Sequence, residues 1–351
     1  MHIFNYNFLK SLSIHPELVN RLTRLEGLNQ RSMLIRKEKP WISENMERIA
    51  IVDSVRSSNE IEGICTTDER IIPLLSGSTR PVNHTEDEIV GYRDALQFIH
   101  DNHENIELSK ESILNIYEIL IKNTDYPDRG FKTRDNVIVE RDANGKIVRK
   151  HPTVPWRDVE ASMDDMISSY WEARNDFAVN KLLLIPCFIL DFLRIHPFID
   201  GNGRMSRLLT VLLLYQEGYD ICRYTSLESK INKDKNGYYK ALDQSEQGWF
   251  ENENDYMPFI EHFLGALFLS YRDFDRRLNV ADSPGNKTGR VEDILLNMEI
   301  PMSKKDVMSM MPDVSQTLVE TVLRKMLKDG RIIKTGSTRN ARYIPFKRKY
   351  V

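Results

Sequence analysis

His196, Asp200, Gly201, Asn202, Gly203, Arg204 and Arg207 fall within twelve residues, in the run HPFIDGNGRMSR. A histidine with an unperturbed pKa near 6.5 can take a proton from a hydroxyl at neutral pH. Asp200 is a hard oxygen ligand suited to Mg²⁺ that also holds phosphate oxygens. Gly201-Asn202-Gly203 opens a helix, and two glycines let the backbone approach a ligand closely. Free amides at such a start, with the helix dipole behind them, make a site for phosphate. Arg204 and Arg207 stand three apart, on the same side of the first turn, where they can reach a polyanion. Taken singly, His-Pro between helices is a turn and Gly-Asn-Gly a loop. Together they supply a base, a metal ligand, an anion cradle and a cationic clamp, the parts of phosphoryl or nucleotidyl transfer, where catalysis is mostly positioning and charge stabilisation.

The elements that must position these residues are mainly helices. KLLLIPCFILDFLRI is apolar nearly all round, which predicts the central helix of a bundle. It leads directly into the loop that begins at His196, and GNGRMSRLLTVLLLYQEG is the helix that follows. Upstream, ENMERIAIVDSVRSSNEIEG places Met46, Ile49, Ala50 and Val52 at near-helical spacing, with Ser43 as N-cap and Gly63 as stop, a helix over about 43–62. TEDEIVGYRDALQFIHDN, SKESILNIYEILIKN and VEASMDDMISSYWEARND repeat the amphipathic pattern. The exception is NVIVERDANGKIVRK, two β-rich runs around Asn144-Gly145, a hairpin signal.

ADSPGNKTG is small, polar and turn-rich and predicts a linker over 281–289. Residues 290–351 then read as three helices followed by two strands around a Gly-Ser turn, the order of a winged helix-turn-helix domain. Its end is basic: Arg331, Lys334, Arg339, Arg342, Lys347, Arg348 and Lys349 with no acid among the last 21 residues.

Composition limits the alternatives. The 351 residues allow two or three domains, and 49 basic against 52 acidic residues give a net charge of −3, so nucleic-acid or membrane binding would have to be local. Cys65, Cys187 and Cys222 have no CxxC spacing, against a disulfide framework or structural zinc and in favour of a reducing, cytoplasmic setting. No export signal is read at the start and no apolar run is long enough to span a membrane.

HPFIDGNGRMSR follows, position for position, the HPFx(D/E)GNGRxxR signature of the Fic family of adenylyltransferases, and the chain resembles that family from Ser43 to about Gly265. The resemblance implies an N-terminal helical region over 1–80, a Fic-type helical bundle over 81–280 and a β-hairpin flap over about 130–149. It implies transfer of AMP from ATP to a Ser, Thr or Tyr hydroxyl of a target protein, with release of pyrophosphate. His196 would deprotonate the hydroxyl, Asp200 would hold Mg²⁺, Gly201, Asn202 and Gly203 would cradle phosphate oxygens, and Arg204 and Arg207 would bind the β and γ phosphates. GFKTRDNVIV to KIVRK resembles the flap that holds the target segment by strand addition, with Val137 and Ile138 facing the site. Lys132 stands where relatives often carry Arg, and Arg134 lies nearby. Tyr238 and Tyr239, with Trp249, are candidates for the adenine wall.

SNEIEG, Ser58 to Gly63, fits the family's inhibitory pattern (S/T)xxxE(G/N), which implies that Glu62 pairs with Arg207. An arginine held by a carboxylate cannot clamp a γ-phosphate, and the carboxylate repels incoming triphosphate. Relatives of the same fold move phosphate or phosphocholine, so the fold does not fix the donor; removal of AMP, with Glu62 positioning a water, is a further alternative. Pairing of two copies is another expectation from the family. A different class of reading is a DNA-binding regulator acting through SQTLVETVLRKMLKDG and the wing near Arg339, although winged helices serve protein contacts equally well.

Overall fold

The computed structural model describes residues 2–13, 15–38, 40–126, 128–141, 147–282, 287–298, 301–309, 311, 314–336 and 341–346. In chain order the elements are α1 (Pro16–Glu38), α2 (Pro40–Ile61), α3 (Asp68–Leu75), α4 (His84–Asn102), α5 (Lys110–Ile121), β1 (Val137–Arg141), β2 (Ile147–Pro152), α6 (Val159–Asn175), α7 (Lys181–Ile195), α8 (Asn202–Gln216), α9 (Leu227–Lys233), α10 (Lys235–Glu246), α11 (Met257–Asp282), α12 (Lys287–Asn297), β3 (Met302–Ser303), α13 (Lys304–Ser309), α14 (Gln316–Lys328), β4 (Ile332–Thr335) and β5 (Arg342–Pro345). The chain forms two compact units. The first comprises Met1–Arg24, Val55–Asp220 and Leu227–Leu267; the second comprises Leu25–Ser54, Ile221–Ser226 and Phe268–Val351.

In the first unit α7 is buried on nearly every face, as its all-round apolar sequence requires. Its one buried carboxylate, Asp191, is fully enclosed and takes hydrogen bonds from Tyr6 Oη (2.8 Å), Trp249 Nε1 (2.7 Å) and Tyr256 Oη (2.9 Å). Trp249 is therefore an interior residue, its ring stacked on His2. Helices α4 and α5 are each fixed at the start. Asn83 Oδ1 accepts from Glu86 N, and Ser109 and Ser112 form a reciprocal capping box. The two helices touch at Gly91, where a Cβ would overlap the carbonyl oxygen of Leu120.

The expected hairpin is present but shifted. Residues 131–136 are irregular, and β1 and β2 pair antiparallel from Val137↔Pro152 to Arg141↔Ile147, with a register irregularity after Glu140. The expected Asn144-Gly145 turn lies outside the described residues. Val137 and Ile138 cannot both face the site with their side chains, because consecutive strand residues point to opposite faces; Val137 and Val139 are exposed and Ile138 is half-buried.

The second unit holds α12 to β5. Val291, Leu295, Val307, Val319, Val322, Met326 and Ile332 form its core, and Ile49 and Val52 of α2 pack against it. Arg48 of α2 reaches Asp306 at 2.6 Å. Burial raises the Asp306 pKa, but the Ser303 amide and Arg48 outweigh it and hold the carboxyl below its usual range. The sheet runs β3-β5-β4, all antiparallel; β3, two residues long, adds a strand to the two expected. Helices α11 and α12 run into both ends of the expected 281–289 linker, whose residues 283–286 lie outside the described residues, as do Arg339 and Lys347 to Lys349. Among the described residues no helix is long and apolar enough to cross a membrane.

Candidate active site

The site is the six-residue connection from α7 to α8. The backbone of His196 turns left-handed (φ 52°, ψ 60°), which breaks α7 and redirects the chain. Asn202 then pins the loop to itself: its Oδ1 accepts from Phe198 N (3.0 Å) and its Nδ2 donates to Phe198 O (2.8 Å). The Asn202 side chain is thus committed to loop structure, and only its backbone amide is offered outward. Phe198 stacks on Tyr117 with ring centroids 3.7 Å apart. Gly201 is left-handed (φ 82°), the conformation glycine adopts without a Cβ penalty, and the helical ladder of α8 begins with Met205 N donating to Gly201 O. The amides of Asn202, Gly203 and Arg204 precede that ladder and point out of the helix start.

His196 is half-buried, and its Nδ1 lies 3.2 Å from Leu193 O. A carbonyl can only accept, so Nδ1 carries the proton and Nε2 keeps its lone pair. Burial, reinforced by the charges of Lys132 and Arg194 against the Leu193 bond and Glu62, lowers the imidazole pKa to about 4. The ring is neutral at physiological pH, as a proton acceptor must be.

Both signature arginines are paired. Arg207 is a bridgehead: Nε donates to Ser58 Oγ (2.8 Å), and Nη2 donates to Ser58 O (2.9 Å) and Glu62 Oε1 (2.8 Å). Glu62 follows the end of α2, where Gly63 (φ 79°) closes the helix. Ile64 N bonds Asn59 O and Gly63 N bonds Glu60 O, the Schellman arrangement that glycine favours. The expected helix of 43–62 begins earlier, at Pro40, so Ser43 lies inside its first turn and is no N-cap. The Glu62 carboxylate lies directly over Gly203, where a Cβ would overlap Oε1 and stand 3.0 Å from the carboxyl carbon. Burial raises the Glu62 pKa, but Arg207, with Arg204 and Lys235 adding, more than offsets it, so the carboxylate stays charged. Its side chain keeps 31% exposure, so the pair closes the mouth of the site and is not sealed in the core.

Arg204 is held from below. Its Nη2 donates to Glu88 Oε1 (2.8 Å), which also accepts from Tyr126 Oη (2.6 Å), and Asp200 Oδ1 stands 3.7 Å away. Arg204 Nε is buried with no hydrogen-bond partner, an unspent donor at the base of the loop. Asp200 Oδ1 caps Gly201 N, while the side chain as a whole is 56% exposed and open to a cation from solvent. Of the tyrosines on α10, Tyr238 is buried beside Ser206 and Arg207, whereas Tyr239 is exposed. A second grouping, His151, Asp243 and Glu246, brings one ligand atom from each within 4.8 Å. Arg149 pairs with Asp243, and Arg194 donates to Glu246 Oε2 (2.7 Å), so both acids are neutralised and the group ties β2 to α10.

Residues 107–214 match the Fic/DOC family. The matched span contains His196 to Arg207, while Ser58, Glu62, Glu88, Tyr238 and Tyr239 lie outside it. Over 116 residues the chain is 29% identical to a Fido domain-containing protein of Dictyostelium discoideum, covering 33% of this chain and 76% of that protein. Three solved structures resemble it in fold. A Fic family protein from Desulfovibrio desulfuricans G20 matches with a TM-score of 0.64 at 20% identity, over 97% of this chain and 99% of that one. A Fic domain containing signaling protein from Bacteroides thetaiotaomicron matches at 0.59 and 20% identity, over 72% and 96%. Fic-1 from C. elegans matches at 0.53 and 19% identity, over 76% of each chain. The contacts just described surround a loop that lies within the matched span. Ser58 is the serine of the (S/T)xxxE(G/N) pattern, although its bonds to Arg207 are set by the fold; nothing in the sequence singles out Glu88 and Tyr126, whose only signal is that a signature arginine needs a counter-charge or acceptor.

Proposed function

We propose that this protein transfers AMP from ATP to a hydroxyl of a target protein and is held inactive by Glu62. The observation that carries the reading is the Glu62 carboxylate itself. It is an anion seated over Gly203 against Arg207, so it stands in for the phosphate that the loop would take. His196 Nε2 accepts the proton as the hydroxyl oxygen attacks the α-phosphorus; the bond from that phosphorus to the bridging oxygen breaks and pyrophosphate leaves. The outward amides of α8 and Arg207 hold the triphosphate once Glu62 withdraws. Asp200, exposed beside the loop, would hold Mg²⁺, which when bound offsets phosphate charge. Strand β1 offers the target a backbone edge for strand addition.

The test uses α-phosphate-labelled ATP with Mg²⁺. Glu62→Gly should raise label retained on protein by tenfold or more over the wild type, and His196→Ala in the Glu62→Gly background should return it to background. Equal label from wild type and Glu62→Gly would sink the inhibition; label that survives His196→Ala would sink the mechanism.

For the α12–β5 segment the three helices and the β3-β5-β4 sheet support a winged-helix reading. Thr317, Thr321, Arg324 and Lys328 on the exposed face of α14 are the surface it would offer a partner.

A further inference from the structure

Lys132 lies in the irregular segment that leads into β1, has 2% exposure and ends among neutral oxygens: Nζ donates to Asn136 Oδ1 (2.9 Å), Thr153 Oγ1 (2.9 Å) and Ile195 O (3.4 Å). These three acceptors match its three donors. Its backbone N–H also donates to Pro197 O (2.8 Å), and Asn136 Nδ2 donates to Phe198 O (3.1 Å). Three carbonyls in the run from Ile195 to Phe198, bracketing His196, are therefore held by Lys132 and the residue it holds. Thr153 immediately follows β2, and its hydroxyl sits 2.9 Å from Asn136 O, which links the two ends of the hairpin to each other. Arg194 adds a tie on the same side, donating to Pro152 O (2.8 Å).

We propose that Lys132 is a positioning residue that rivets both ends of the β1–β2 hairpin to the loop carrying His196, so that the target strand and the proton acceptor keep one fixed separation. The inference rests on the reading of His196 as base and of the hairpin as the target-holding flap. A second effect follows from charge. Burial lowers the Lys132 pKa to about 8, with Asp135 opposing, so the ammonium is charged at neutral pH and disfavours a second positive charge on the nearby imidazole. The charged groups acting on His196 are Lys132 and Arg194, which both favour the neutral ring, and Glu62, which opposes them. A guanidinium at this position would present a planar fork where three acceptors surround one nitrogen, so Arg and Lys are not equivalent here.

The test compares full-length wild type, Lys132→Met, Lys132→Arg and Thr153→Val. Two readouts do not depend on transfer. The first is an NMR titration of the His196 ring, assigned by its loss in His196→Ala. The second is amide hydrogen exchange over residues 133–139 and 150–154. Lys132→Met should move the His196 midpoint up toward the free-imidazole value and speed exchange in both hairpin ends at least tenfold. Thr153→Val should speed exchange while leaving the midpoint in place, because it removes a tether and keeps the charge. Lys132→Arg should keep the midpoint low and protect the hairpin only in part. If Lys132→Met fails to fold, the Thr153→Val and Lys132→Arg results decide. An unmoved midpoint together with unmoved exchange in the folded variants would overturn the proposal. Failure of labelled-ATP transfer with these two readouts as expected would instead count against the proposed activity.

Discussion

At His196 the chain accepts a left-handed backbone, a region that costs a non-glycine residue roughly 1–2 kcal/mol; the Leu193 carbonyl holds the ring, and the bonds from Lys132 to Ile195 O and from Asn136 to Phe198 O hold the backbone on either side against that cost. The same enclosure lowers its pKa to about 4. Between about pH 4 and the unfolded value near 6.5, the unfolded chain takes up this proton and the folded chain does not, so the His196 contribution to stability is present above that window and lost as pH falls through it. Activity should have the same sign, because a protonated imidazole cannot accept. A pH series on the Glu62→Gly variant should therefore show no His196 limb from pH 8 down to about 5 and a fall only below. A limb centred near 6.5 would mean that the ring is solvated in the working enzyme.

At the scale of elements, α4 matters most to the loop it does not contain. Glu88 on α4 reaches Arg204 and Tyr126, and its aim depends on how closely α4 lies against α5. Gly91 sets that distance, one turn further along. Gly91→Ala would drive a methyl into backbone that cannot yield as a flexible side chain does. It should cost about 1–3 kcal/mol or more, read as a lower Tm, and should loosen Arg204 at the same time. Much of this architecture could be read from the sequence, because all-round apolarity marks α7 and a twelve-residue motif marks the loop. What could not be read depends on distant partners. The shift of α2 to Pro40 escaped because Ser43 looks like a cap when its neighbours are unknown. β3 escaped because two residues carry no alternation, and the assignment of Asn202 to loop closure needed the position of Phe198. Trp249 looked like a ligand wall because an aromatic near a site reads the same whether it faces a pocket or Asp191.

At the scale of the molecule, both units are assembled from three separated stretches of chain, so neither corresponds to a contiguous fragment. The core of residues 291–332 is completed by Ile49 and Val52, which come from α2. Residues 287–351 expressed alone should thus expose the surface those side chains cover and melt at a lower temperature than the same fragment mixed with a peptide of residues 40–54. Equal melting of the two samples would show that α2 adds nothing to this core. The pairing of Glu62 with Arg207 has the same covalent origin, since both residues belong to one chain. A tethered carboxylate competes at an effective concentration set by chain geometry and not by how much protein is present. Dilution therefore leaves the latch shut, while a free anion gains on it only as its own concentration rises.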